Sequence, residues 1–343
     1  MRALYFEEHG GVENLRIGER PLPEPGAGEV RVRLQTAALN HLDLFVLEGM
    51  PGIPIGLPHI GGADGAGVVE AVGPGVDGVE TGMEVVFDPG LSCGRCDYCR
   101  QGEQSLCVRF GVLGEHTDGT CAESVVVSAD SLAPRPPHLS WEESAAFGLT
   151  FLTAWRMLIN RGGLRPGEDV LIHGIGGGVA LACLQLAKVV GARVLVTSRS
   201  EEKLTRAVEL GADEAVPAGD EVVREVRRLT GKRGVDVVVD SVGEATWMQS
   251  LKAAARGGRI VTCGSTSGPN PAEEIRLIFW NQLSIIGSTM GSREDWRRLV
   301  ATLNAHELRP VVDVVMPLSE GRAAYERLER AKQFGKIVLS IDD

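Results

Sequence analysis

The spacing of apolar residues changes character along the chain. Met1–Glu7, Leu15–Ile17 and Glu29–Leu39 alternate apolar and polar residues as half-buried strands do, with the Pro- and Gly-rich Pro21–Gly28 before the third. The glycine-laden Leu57–Gly67 reads as a turn, and Ala66–Val72 and Glu84–Asp88 read as strands parted by Gly73-Pro-Gly75. Alternation returns over Phe110–Val127 around Asp118-Gly119, and Ser140–Ile159 predicts one or two helices. From Asp169 onward short apolar runs recur between helical stretches: Val170–Ile172, Arg193–Thr197, Ala215–Val216, Val235–Asp240, Arg259–Cys263 and Leu283–Gly287. That β/α alternation predicts a mostly parallel, doubly wound sheet with helices on both faces. The tail departs again: Ser292-Arg-Glu-Asp295 caps a helix to His306, and Val311–Met316, Ser319–Lys332 and Lys336–Ile341 read as strand, helix and strand. The expected architecture is α/β, with a β-rich lobe from residues 1–150, a second lobe with the parallel sheet from 151–286, and a tail, 287–343, that leaves the β/α pattern.

The second lobe opens on Val170-Leu-Ile-His-Gly-Ile-Gly-Gly-Gly-Val-Ala180, an apolar strand that stops at glycines before a helix of small and aliphatic residues. A helix start leaves amide N–H groups and positive dipole at one place, and glycines let a ligand approach the backbone there. Gly174-x-x-Gly177-x-x-Ala180 is thus a variant of the dinucleotide fingerprint of Rossmann folds, with pyrophosphate expected on Gly174, Gly177, Gly178 and Val179. The next strand ends Val196-Thr-Ser-Arg-Ser200, followed by Lys203, with no carboxylate at the turn to receive ribose hydroxyls. Ser198, Arg199 and Lys203 suit a 2′-phosphate, so NADP(H) is expected, with NAD the alternative.

Composition narrows the partners. A net charge of −11 argues against a nucleic-acid surface. No apolar run reaches membrane-spanning length, and Met1-Arg-Ala-Leu-Tyr-Phe reads as a strand and not as a signal peptide. Four of the seven cysteines, Cys93, Cys96, Cys99 and Cys107, crowd into one loop. This suits a metal site in a reducing, cytoplasmic setting better than a disulfide frame. Four thiolates close a tetrahedron around a structural zinc, although their spacing leaves an iron–sulfur cluster open. The apolar edge run Leu283-Ser-Ile-Ile286 can pair with a copy of itself, which predicts a homodimer or homotetramer.

The order of β-rich lobe, cysteine loop, glycine turn and the ending Phe334-Gly-Lys-Ile-Val-Leu339 resembles the medium-chain dehydrogenase/reductase superfamily along essentially the whole chain. The resemblance implies a GroES-like catalytic domain made of residues 1–150 and 287–343 beside a Rossmann domain of 151–286, and hydride transfer in a cleft between them. By matching, the three catalytic-zinc ligand positions of the alcohol dehydrogenases fall on Asn40, Ala63 and Leu149, none of which binds zinc in the usual way. Their proton relay falls on Leu42 and Phe45. Asp43 and Asp64 remain acids, Asp64 in place of a glutamate. Asn40 through Asp43 is similar to the Asn-x-x-Asp of the quinone and enone reductase branch. That likeness implies hydride transfer from NADPH to a quinone or other α,β-unsaturated carbonyl without a catalytic zinc. Asn40, Asp43 and Asp64 become the catalytic candidates: Asn40 is the donor to the oxygen that gains charge, and Asp43 orients it or the backbone. The resemblance also carries His41 and Lys336 to the pyrophosphate and Thr153 to the nicotinamide.

Two other readings stay open. A second metal assembled from His41, His59, Asp64 and His116 would make an alcohol or aldehyde dehydrogenase with unconventional ligands, and the cysteine loop goes with that side of the family. Alternatively, lost ligands leave a non-catalytic nucleotide-binding protein.

Overall fold

The computed structural model describes residues 1–50 and 52–341. It divides into two compact units, Met1–Leu152 with Gly291–Asp343, and Thr153–Met290. These boundaries lie two and four residues beyond those read from the pattern. The first falls inside the helix Gly148–Trp155, which no glycine or proline interrupts after its first residue. Among the described residues, no helix is long and apolar enough to cross a membrane.

In the first unit the main sheet runs Leu132–Pro134, Glu84–Phe87, Asp64–Val72, Glu29–Ala38, Lys336–Ser340, Val312–Pro317, and Ser124–Ser128 also pairs with Glu29–Ala38. Alternation along Glu29–Ala38 works as a half-buried strand should: Val30, Val32 and Leu34 are fully buried while Arg31 and Arg33 face outward. Together with Phe6, Val69, Phe87, Tyr325 and Leu339 they form one core. Each such side chain contributes about 1.5–3 kcal/mol by leaving water.

The stretch Phe110–Val127 is less strand-like than its pattern. Only Gly111–Val112 and Ser124–Ser128 are strands. The residues between them donate instead to the bend at Ile60-Gly61-Gly62, through Gly119 N to Ile60 O at 2.7 Å, Thr120 N to Gly62 O at 2.9 Å and Cys121 N to Gly61 O at 3.0 Å. A side chain at Gly119 would lie 2.1 Å from Gly62 O, so glycine permits this contact. A helix His41–Glu48 that the pattern did not reveal follows the strand Glu29–Ala38.

The second unit is a six-stranded parallel sheet in the order Glu214–Pro217, Arg193–Ser198, Asp169–Ile172, Val235–Asp240, Ala254–Thr262, Ser284–Gly287. Val170, Leu171 and Ile172 are all fully buried, which explains their unbroken apolar run. The chain starts at Asp169–Ile172 in the middle and winds outward both ways, so the order reverses beside Val235–Asp240. Ligands of such sheets bind beyond the strand ends at that reversal.

Candidate active site

Sheet register brings the first unit's polar residues together. Val338 pairs with Ala38 and Leu339 with Ala37, antiparallel, and Ala38 pairs with Asp64 on its other side. Continuing that register past the strand end sets Lys336 opposite Asn40. Lys336 Nζ donates to Asn40 Oδ1 at 2.5 Å and to Asp64 Oδ2 at 2.9 Å, and Asn40 Nδ2 donates to the same carboxylate oxygen at 3.0 Å. Asp64 Oδ1 accepts from Leu149 N, in the first turn of the helix Gly148–Trp155, at 2.6 Å. All three side chains are buried, Asp64 to 1 % exposure. Burying a carboxylate is costly unless it is paired and hydrogen-bonded, as this one is.

Asp43 works on the backbone beside this cluster. Its two oxygens accept from Asn40 N at 2.6 Å and Gly62 N at 3.1 Å. Thus it ties the start of the helix His41–Glu48 to the Gly61-Gly62 bend. Burial is the main cause that pushes the Asp43 carboxyl up to about 6, against the backbone N–H of Asn40 and the charge of Lys336, which lower it.

The four loop cysteines also converge. The sulfurs of Cys93, Cys96, Cys99 and Cys107 lie within 4.8 Å of one another, with Cys96 and Cys99 at 3.5 Å. Zn–S bonds of about 2.3 Å at tetrahedral angles need sulfurs about 3.8 Å apart, which this set fits. The N–H groups of Cys93 and Arg109 each point at Cys107 Sγ at 3.3 Å, as donors to a thiolate would. No open ligand position remains in such a set, so a metal there supports the loop and meets no substrate.

In the second unit Gly174 and Gly176 take left-handed backbone, with φ of +71° and +114°. Gly177 precedes the helix Gly178–Val190 without any side-chain cap, leaving the first-turn N–H groups of Gly178 and Val179 to an outside acceptor. A pyrophosphate is such an acceptor. Ser198 ends the neighbouring strand buried, its Oγ accepting from Ser200 N at 3.1 Å; Ser200 in turn caps the helix Glu201–Glu209, which carries Lys203. Arg199 between them is exposed.

Both units have counterparts among known proteins. The family model for the alcohol dehydrogenase GroES-like domain matches residues 26–137, and that for zinc-binding dehydrogenases matches residues 178–305. A crystal structure of an NAD-dependent alcohol dehydrogenase superposes with a TM-score of 0.95 at 49% identity, covering 99% of this chain and 100% of that one. An acryloyl-coenzyme A reductase of Metallosphaera sedula is 33% identical, covering 99% of this chain and 100% of its own. A zinc-type alcohol dehydrogenase-like protein of Schizosaccharomyces pombe is 33% identical over 100% of this chain and 99% of its own. The chain belongs to the medium-chain dehydrogenase/reductase superfamily. It is an NAD(P)-dependent oxidoreductase, with a GroES-like domain and a Rossmann domain.

Within this medium-chain dehydrogenase/reductase, the expected site residues separate into groups. Asn40, Asp43 and Asp64 come together as described. Lys336, expected at the pyrophosphate, donates from its amine to Asn40 and Asp64, where the strand register aims it. His41 is exposed and packs edge-on against Phe45 with ring centroids 4.8 Å apart. Thr153 is buried, its Oγ1 donating to Met290 Sδ at 3.7 Å.

The proposed second metal set does not assemble. Among the described residues, the cysteine loop is the group whose ligand atoms cluster. His59 Nε2 bonds instead with Gly114 O at 2.9 Å, and His116 Nδ1 accepts from Val112 N at 3.2 Å.

Sequence reasoning missed Lys336 as a partner of Asn40, and it missed Gly148. A side chain at Gly148 would lie 2.5 Å from Asp64 Oδ1, so glycine there is what lets the helix start approach the carboxylate. The signal available for Lys336 was a lysine opening an otherwise apolar final strand, which is buried from Lys336 through Leu339.

Proposed function

We propose that this oxidoreductase uses NADPH to reduce a small α,β-unsaturated carbonyl compound or quinone, with no zinc at the reacting oxygen. The supporting observation is the network itself. The matched ligand positions are Asn40, Ala63 and Leu149, none of them an acid, and the neighbouring acid Asp64 is saturated by Asn40 Nδ2, Leu149 N and Lys336 Nζ. A metal would have to displace those donors. The relative named acryloyl-coenzyme A reductase points the same way, since an acryloyl group is an α,β-unsaturated acyl.

Bound NADPH would supply the hydride. The substrate's β-carbon accepts it, and the electron pair moves onto the carbonyl oxygen. That developing charge needs preorganised donors. Asn40 Nδ2 has two N–H groups, of which Asp64 receives one, and the other is directed by a side chain held at both ends. Asp43 holds the backbone of Asn40 and Gly62 in place and moves no proton in this scheme.

Ser198, the exposed Arg199 and Lys203 form the 2′-phosphate pocket, and the four cysteines hold a structural zinc. The protein works in the cytoplasm as a homodimer or homotetramer built on the edge strand Ser284–Gly287.

The test compares NADPH and NADH with quinones, enones and enoyl thioesters, and NADP⁺ and NAD⁺ with primary alcohols, beside zinc stoichiometry. The reading expects NADPH-dependent reduction of conjugated substrates with about one zinc per chain. Arg199→Glu should raise the NADPH KM about tenfold or more, the worth of one charge-assisted bond. Alcohol oxidation with about two zinc ions per chain, and no reduction of conjugated carbonyls, would replace it with the alcohol dehydrogenase reading.

A further inference from the structure

We infer that Cys96 and Cys99 are a peroxide-sensitive dithiol: a hydroperoxide closes these two thiolates into a disulfide, and the cysteine loop then gives up its metal. The inference rests on the structural-zinc reading above and adds a covalent change that reading does not contain.

The four sulfurs of the loop are not equivalent. Cys96 caps the short helix Asp97–Arg100, with Arg100 N donating to Cys96 O at 3.0 Å, and Cys99 lies inside that helix. With Asp97 and Tyr98 helical between them, the Cα atoms of Cys96 and Cys99 are about 5 Å apart. A disulfide spans about 4.4–6.8 Å between Cα atoms, so this pair closes by turning its side chains and leaves the backbone in place. Residues three apart on a helix share a face, and the two sulfurs already stand at 3.5 Å. Cys93 Sγ is farther from Cys99 Sγ, at 4.0 Å.

Access separates them further. Cys93 and Cys96 are half-buried, whereas Cys99 and Cys107 are buried at 7% and 6% exposure. Arg95, Asp97 and Tyr98 around Cys96 are exposed. Cys107 Sγ also receives the N–H groups of Cys93 and Arg109, both at 3.3 Å, which occupy its electron pairs. A small oxidant from solvent therefore meets Cys93 or Cys96 before the other two, and of these Cys96 has the nearer partner sulfur.

The step is a two-electron oxidation. The Cys96 thiolate attacks one oxygen of the hydroperoxide, a sulfur–oxygen bond forms, and the oxygen–oxygen bond breaks with its electron pair leaving on the other oxygen, which solvent protonates. The Cys99 thiolate then attacks the Cys96 sulfur, and the sulfur–sulfur bond forms as hydroxide departs and is protonated to water. Both sulfurs are oxidised and the peroxide is reduced. A tetrahedral site needs four thiolates, and only those of Cys93 and Cys107 remain. The loop is pinned to the rest of its unit through Gln104 Oε1, which accepts from Arg293 N at 3.3 Å, so loosening it reaches the start of the helix Arg293–His306. A dithiol reductant reverses the change by exchange.

The test treats the full-length wild type, as purified, with hydrogen peroxide and follows zinc release with a chromogenic chelator beside peptide mass spectrometry. Trypsin cuts after Arg95, Arg100 and Arg109, so Cys96 and Cys99 fall together on the peptide Cys96–Arg100 while Cys93 and Cys107 lie on separate peptides. That peptide should become lighter by two hydrogen atoms and resist alkylation, with about one zinc released for each disulfide formed. The buried Cys121 and Cys183 should still alkylate once the chain is denatured. The thermal midpoint should fall to that of chelated protein, and dithiothreitol with added zinc should restore it. None of these readouts depends on turnover or on folding of a variant. A bridge reaching Cys93 or Cys107, sulfinic acid at Cys96 with no disulfide, or a disulfide formed while zinc stays bound would each overturn the inference. Protein that forms the Cys96–Cys99 bridge but carries no metal as purified would leave the dithiol standing and overturn the zinc reading instead.

Discussion

Lys336 Nζ lies 2.9 Å from Asp64 Oδ2 as a buried ion pair, closed between residues 272 positions apart in the chain. Such a pair is expensive to break from one side and cheap to replace from both. Asp64→Ala should therefore destabilise the protein by about 3–5 kcal/mol, since it strands an ammonium and also orphans Leu149 N. Asp64→Asn/Lys336→Met should cost markedly less. Urea unfolding of the two variants checks this. Equal loss in both would mean that the pair holds the fold through packing alone.

The cysteine loop should behave as a separate module of stability. Cys96→Ser removes one of four thiolates whose sulfurs sit within 4.8 Å of one another, so zinc content and thermal stability should fall together. Chelation of the wild type should reproduce the effect. The kcat of the surviving folded protein should stay within about twofold, because a closed four-thiolate site has no position for substrate. Loss of kcat at unchanged stability would show the metal taking part in the chemistry.

Local spacing made some of this legible and long-range register hid the rest. Cys93 to Cys107 announce themselves because all four ligands fall on one short loop, and the glycines from Gly174 to Gly178 do so because strand, turn and helix start are contiguous. The doubly wound sheet followed from its unbroken apolar runs. By contrast, Lys336 meets Asn40 only through the pairing of Val338 with Ala38, which no spacing encodes. The helix His41–Glu48 was missed because Leu44, Val46 and Leu47 are buried together with a charged Asp43, which blurs the helical stripe. Gly148 carries no signal until Asp64 is placed beside it.

Asp43 should leave a mark on the pH dependence of stability. Burial raises its folded-state carboxyl to about 6 from 3.8. Between those values the native state binds more protons at this group than the unfolded chain does, so stability contributed here falls as pH rises from about 4 through about 6. Asp43→Asn lacks that titration. The stability of wild type relative to the variant should therefore decrease over this window and level off above it, as measured by urea midpoints at pH 4.5, 6 and 7.5. A difference that grows with pH would mean that the backbone donors Asn40 N and Gly62 N hold the carboxyl ionised more strongly than burial opposes it.

The second unit's outer edge should be where copies of the chain meet. Ser284–Gly287 pairs with Ala254–Thr262 on one side and ends the sheet on the other, with Ile285 37% exposed. The preceding helix Ile275–Asn281 shows Ile275, Phe279 and Trp280 to solvent at 66%, 62% and 69%. An open apolar strand beside exposed aromatics is a surface that monomers seldom tolerate. A second copy offers a matching edge by two-fold symmetry. Sedimentation should find dimers or larger even-numbered assemblies at micromolar protein, and Ile285→Lys with Trp280→Glu should shift them to monomers while the far-ultraviolet circular dichroism stays the same. Monomeric wild type, or a double variant that keeps its mass, would move the contact elsewhere.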